Sequence, residues 1–120
     1  MVSRSRTAVH ARRRKRRMAK VEHDLTDAQW AALKAAWGGC AYCHAQERQL
    51  QKDCALPISV GGRYTLTNVV PACRSCNASK CNTEVTAWLR RKKLDESAFL
   101  LKQAEVLRVL TTELAEIATN

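Results

Sequence analysis

Two cysteine pairs, Cys40-Ala41-Tyr42-Cys43 and Cys73-Arg74-Ser75-Cys76, are the residues whose type and spacing most plainly imply chemistry. A CxxC turn sets two sulfurs on one side of an ion, and a second such turn closes the tetrahedral shell of a structural zinc site. Cys40, Cys43, Cys73 and Cys76 complete that shell without His44, which is expected to face solvent, and without Cys54 or Cys81. In a small domain such a site contributes on the order of 10 kcal/mol to folding. A redox CxxC normally stands alone, whereas here 29 residues separate the two pairs. The Arg-rich N-terminus is followed by no apolar h-region, so it does not read as a secretory signal. Outside secretion thiols stay reduced, which favours metal over disulfides and implies a cytoplasmic setting.

Between and after the pairs lie further polar residues at set distances. Asp53-Cys54 precedes Pro57 and Gly61-Gly62, and Asn68-Val69-Val70-Pro71 leads to Cys73, with Asn77 beside the last cysteine and Lys80 three residues on. Read as residues alone, Asp53, Asn68 and Asn77 suit turn and cap chemistry in a zinc ribbon, or oxygen ligation of a second ion. The whole run from 40 to 80 resembles a zinc-bound HNH endonuclease: CxxC, then Asp-His-x-x-Pro-x-x-x-Gly-Gly, then Asn-x-x-x-x-Cys-x-x-Cys-Asn-x-x-Lys. The resemblance covers about a third of the chain and neither terminal region.

The resemblance implies a ββα-metal fold, two strands and a helix gripping a divalent ion. With the charge and helix patterns of the rest of the chain, the expected fold class is α+β, a small zinc-stapled ββα-metal core flanked by helices, with a basic N-terminal arm. The resemblance further implies that Asp53 and Asn77 ligate a catalytic divalent ion. Asn68 braces the loop that holds the general-base position. Mg²⁺ or Mn²⁺ would suit such oxygen ligands and would stabilise a leaving 3′-oxygen. Arg63, Arg74 and Lys80 are available to position phosphates. One position departs from the pattern: the histidine that activates water is Cys54 here. A free thiol titrates near ~8.5, well above imidazole, so the exchange changes the base itself.

Charge points to the same class of partner. The net charge is +10, and residues 1–20 hold nine Arg and Lys, among them Arg12, Arg13, Arg14, Lys15, Arg16 and Arg17, and no acid. Residues 48–93 sum to +7, while the segments on either side of them, 21–47 and 94–120, are each −3. Two separate basic segments around a metal-site pattern favour nucleic acid over a merely solvated surface. The arm is self-repelling and expected to be disordered in isolation. Met18 offers a second translation start, which would shorten it. No apolar run approaches the ~20 residues of a membrane span.

The elements that must position these residues follow from pattern. Thr26 with Gln29 forms a capping box for a helix carrying Trp30, Leu33 and Trp37, ended by Gly38-Gly39. Those tryptophans read as core rather than as base-stacking platforms. Alternation over Arg48–Leu56 predicts a strand, with its hairpin partner within Ile58–Tyr64. A short helix from about Cys73 to Lys80 and another over Thr83–Lys93 follow, the latter with Val85, Trp88 and Leu89 on one face. Asp95 caps a last helix whose Phe99, Gln103, Val106, Leu110, Leu114 and Ile117 form a stripe. That stripe folds back on the first helix or meets a partner helix, including that of a second copy. The organisation expected is an arm (1–20), a zinc domain (21–94) and a C-terminal amphipathic helix (95–120).

Three functions follow from these readings. One is a metal-dependent endonuclease acting on DNA. Another is a degenerate HNH fold that binds DNA or structured RNA, such as ribosomal RNA, through its arm. The third is a zinc-stapled interaction module working through the C-terminal stripe.

Overall fold

The computed structural model describes residues 24–119, with side chains through Leu114. The basic arm, including Arg12 to Arg17, and the side chain of Ile117 lie outside the described residues. The described residues form a small α+β unit of four α-helices and one two-stranded antiparallel sheet.

Helix α1 spans Asp27–Trp37. Its Thr26 hydroxyl accepts from the Gln29 amide at 3.1 Å, and Gln29 Oε1 accepts from the Thr26 amide at 2.9 Å, which satisfies two otherwise orphaned donors. Gly38, at φ 72°, turns the chain out of the helix in the left-handed conformation that glycine adopts without cost. Leu33 and Trp37 are buried, whereas Trp30 is half-exposed beneath the ammonium groups of Lys34 and Lys52, 5.4 and 5.8 Å from its ring centre.

Strand β1 is Gln51–Cys54, shorter than the alternating run suggests. Its partner β2 is Val69–Ala72, and not a strand within Ile58–Tyr64. The reason is local. Pro57 ends the first strand, and Ile58–Val60 coil into a 3₁₀ turn held by amides of Val60, Gly61 and Gly62 bonding to Pro57 and Ile58 carbonyls. Gly62 packs so tightly under Leu56 that a Cβ would lie 1.7 Å from the Leu56 carbonyl oxygen. All four β2 residues are buried, so the strand shows no alternation to betray it. The register pairs Gln51 with Ala72, Lys52 with Pro71, Asp53 with Val70 and Cys54 with Val69.

Helix α2, Arg74–Lys80, follows β2 at once, so the order β1–β2–α2 is the expected ββα unit. Helix α3 is Val85–Arg91, capped by the Glu84 carboxylate on the Thr86 and Ala87 amides at 3.0 and 3.1 Å. Val85, Trp88 and Leu89 are buried on one face. Helix α4, Glu96–Thr119, is capped by Asp95, whose Oδ1 accepts from the Ala98 amide at 2.9 Å. Phe99, Val106 and Leu110 of its stripe are buried, and α4 packs against α1 and α3. Four rings join these layers. Trp37 stacks on Phe99 at 5.6 Å, Phe99 meets Tyr42 at 5.4 Å, and Tyr42 meets Trp88 edge-on at 5.0 Å.

Because Phe99 links α4 to both the first helix and the cysteine turn, its truncation removes a hub. Phe99→Ala is expected to cost about 3–5 kcal/mol. Urea unfolding followed by tryptophan emission measures it, and Leu101→Ala on the exposed face should change little.

Candidate functional site

The cysteine turn is shaped by backbone bonds. The Cys40 amide donates to the Ala45 carbonyl at 2.9 Å, and the His44 amide to the Cys40 carbonyl at 3.0 Å. Cys73 is the N-cap of α2 and Cys76 sits in its first turn, so the second pair is presented by a helix start. The four sulfurs lie within 4.8 Å of one another. Cys43 Sγ and Cys73 Sγ are 3.7 Å apart. Metal–sulfur bonds of about 2.3 Å in a tetrahedron demand edges of about 3.8 Å, so the quartet fits a metal ion.

Amides of Tyr42 and Cys76 approach Cys40 Sγ and Cys73 Sγ at 3.4 Å, as in a preformed thiolate site. Burial pushes the Cys40 thiol up, but backbone donors at Cys43, Cys73 and Tyr42 outweigh it and hold the group below its ordinary value. Cys76 is pushed up by burial and then by its neighbouring sulfurs, so metal binding must displace a proton there. His44 and Cys81 are exposed and Cys54 is buried, and none joins the quartet.

The second group of residues converges where α2 lies against β1. Gln51 and Asp53 share one face of β1 by the two-residue period. Asn77 Nδ2 donates to Gln51 Oε1 at 2.6 Å, and one helical turn later Lys80 Nζ lies 3.2 Å from Asp53 Oδ2. Lys80 also donates to the Cys54 carbonyl at 2.9 Å, and the Tyr42 hydroxyl donates to the same Asp53 oxygen. Asp53 is 6% exposed and Lys80 fully buried. Burial pushes the Asp53 carboxyl up against the opposing pull of Tyr42 and Lys80. Burial and the Asp53 charge push the Tyr42 hydroxyl up in turn, which keeps it a donor.

Lys80, expected among the phosphate-positioning cations, therefore points inward. A carboxylate taken out of water needs a counter-charge, and the last turn of α2 supplies it. Arg63 and Arg74 are exposed. Asn68 ties the 55–68 loop closed: its Oδ1 accepts from the Leu56 amide at 2.9 Å, and its Nδ2 donates to the Leu56 and Arg63 carbonyls at 3.0 and 2.9 Å. Inside that loop the Cys54 thiol approaches the Arg63 carbonyl at 3.8 Å. Its pKa is pushed up to about 11, first by burial and then by the Asp53 charge.

Two members of this group, Tyr42 and Gln51, escape a reading of the sequence. Tyr42 hides between two cysteines of the quartet, and only the fold brings it to Asp53. Gln51 carries a faint signal, being two residues before Asp53 on a predicted strand.

Residues 40–94, just under half of the chain, match the family described as HNH endonuclease. Neither a curated protein nor a solved structure matches the chain.

Two outcomes follow from this geometry. Lys80→Met leaves the buried Asp53 carboxylate without its cation and should cost about 3–5 kcal/mol near neutral pH. That penalty should shrink in acid, where Asp53 takes a proton and no uncompensated charge remains. Denaturant unfolding across pH checks both. In metal-loaded protein near neutral pH, iodoacetamide should modify the exposed Cys81 first and spare Cys54. Because the thiolate is the reactive form, Cys54 labelling should rise only toward its midpoint of about 11, as read by mass spectrometry.

Proposed function

From the match of residues 40–94 to the HNH endonuclease family, we propose that this chain is a divalent-metal-dependent endonuclease that hydrolyses phosphodiesters of DNA. The observation that carries the reading is the junction of β1 and α2, where an acidic and an amide side chain of the family pattern, Asp53 and Asn77, each make a polar contact between the strand and the helix and so form a polar seam. The quartet of thiols suits zinc, a tetrahedral ion with strong thiolate affinity. In this reading residues 21–94 are the working unit, 95–120 buttress it, 1–20 add affinity, and the chain acts on cytoplasmic nucleic acid.

Asp53 and Asn77 would hold Mg²⁺ or Mn²⁺. Tyr42 and Lys80 engage Asp53 through Oδ2, and Asn77 bonds Gln51 through Nδ2, so Asp53 Oδ1 and Asn77 Oδ1 are the oxygens the reading assigns to the ion. Such an ion supplies positive charge to the phosphate and to the leaving oxygen. Arg63 and Arg74 contribute charge to the phosphates on either side. Asn68 keeps the loop around Cys54 at fixed span, which orients the water-activating position. Cys54 can take a proton only as a thiolate, so its burial makes the parent a slow enzyme near neutral pH.

One observation favours a second reading, a protein that keeps the fold to bind DNA or structured RNA. Cys54 is a buried thiol whose pKa burial and the Asp53 charge push up, and Asp53 already has a cation partner in Lys80. Supercoiled-plasmid nicking in Mg²⁺ or Mn²⁺ separates the two. The endonuclease reading expects slow nicking by the parent, loss in Asp53→Ala, and a gain of about 100-fold in Cys54→His, the usual worth of a positioned base. Cleavage by Cys54→His alone assigns the parent to the binding reading. Silence from both proteins overturns the endonuclease.

A further inference from the structure

A concavity of about 610 Å³ opens where α1, the loop before β1 and the start of α2 meet. Lys34, Arg48 and Arg74 line it with Gln51, and Glu47 is its one acid. Three cations and one acid leave the hollow with a net positive charge, which favours an anion there. Arg48 and Arg74 are exposed and have no ion-pair partner among the described residues. The volume lies within the range of about 300–1,000 Å³ typical of ligand sites. Its amide wall, Gln51, is the side chain that accepts from Asn77, so the hollow opens beside the polar seam rather than elsewhere on the surface. Lys34 belongs to α1, outside the family-matched segment, so the hollow is built jointly by that segment and by the helix that precedes it.

We propose that this concavity is a backbone-phosphate subsite that holds the nucleic-acid strand beside the cut, with Lys34 and Arg48 as its determinants. The proposal rests on the nucleic-acid reading above and extends it to two residues with no role in the metal seam. Guanidinium of Arg48 and Arg74 can each fork onto phosphate oxygens, while Lys34 acts as a point charge. The amides of Gln51 and Gln49 suit sugar and phosphate oxygens.

The test uses the full zinc-loaded chain and a fluorescein-labelled DNA duplex, with anisotropy titrations over a range of salt and no Mg²⁺ or Mn²⁺. Lys34→Gln and Arg48→Gln should each weaken binding about 3- to 10-fold and lower the log–log salt slope by about one. Arg48→Glu, a reversal on the same exposed side chain, should weaken it further. Arg108→Gln, on an exposed face of α4, should leave affinity and slope unchanged. Circular dichroism and bound zinc confirm that each variant is folded. Parental affinity and slope in both the Lys34 and Arg48 variants overturn the subsite, as does an equal loss in Arg108→Gln. Plasmid nicking measured separately keeps the two readings apart. A parent that binds through these residues but never cleaves sinks the endonuclease alone. Variants that cleave and bind like the parent sink the subsite alone.

Discussion

The buried pairing of Lys80 with Asp53 governs how the helix after the second strand sits on the first. Both groups are out of water, and each is tolerable there only because of the other and of the bonds around them: Tyr42 on the carboxylate, the Cys54 carbonyl on the ammonium. The helix is pinned at its other end by sulfur. Cys73 caps it and Cys76 lies in its first turn, so a metal bound by the quartet would clamp the N-terminus of α2 while Lys80 clamps its C-terminus. Asn77 lies between the clamps, with little freedom to drift from Gln51. The position of one amide side chain thus depends on the cysteine quartet, an ion pair and the tyrosine enclosed by the first cysteine pair.

The same arrangement sets a tension at the site. The carboxylate that the proposed function gives to a divalent ion is satisfied internally by a lysine, and a thiol stands where the HNH pattern has a histidine. Burial pushes both groups toward their protonated forms. The stability of the fold and the readiness of the site draw on the same residues, with Asp53 the point of contention.

How much of this was legible in the sequence differs by element, and the reasons are physical. The capping box at Thr26 and Gln29, the glycine stop and the stripe of α4 depend on residues three or four apart, so local pattern reveals them. The cysteine quartet was legible because two short turns each carry half of it. The second strand was not. Val69 to Ala72 is buried on every side, and a four-residue apolar run without alternation carries no period. The loop from 58 to 64 instead offered a glycine pair that reads as a hairpin turn, when Gly62 is there to let the chain pass beneath Leu56. Lys80 reads in the sequence as a cation available to phosphates, because sequence gives its charge but not the direction of its side chain. Its inward turn depends on α2 crossing β1, a tertiary fact. Asp53, Cys54, Asn68 and Asn77 could be named from the family pattern, but the partners that set their chemistry, Tyr42 and Gln51, come from the fold.

The three tryptophans divide in a way that gives the molecule a built-in optical handle. Trp37 and Trp88 are enclosed in the aromatic core and report on its integrity. Trp30 is half-exposed, and one of the two ammonium groups over its ring belongs to Lys34, a wall of the basic hollow. An anion that draws that ammonium aside would change the field at the indole without disturbing the other two. The intrinsic emission of an unlabelled chain thereby contains two separable signals, one for the folded interior and one for occupancy at its edge.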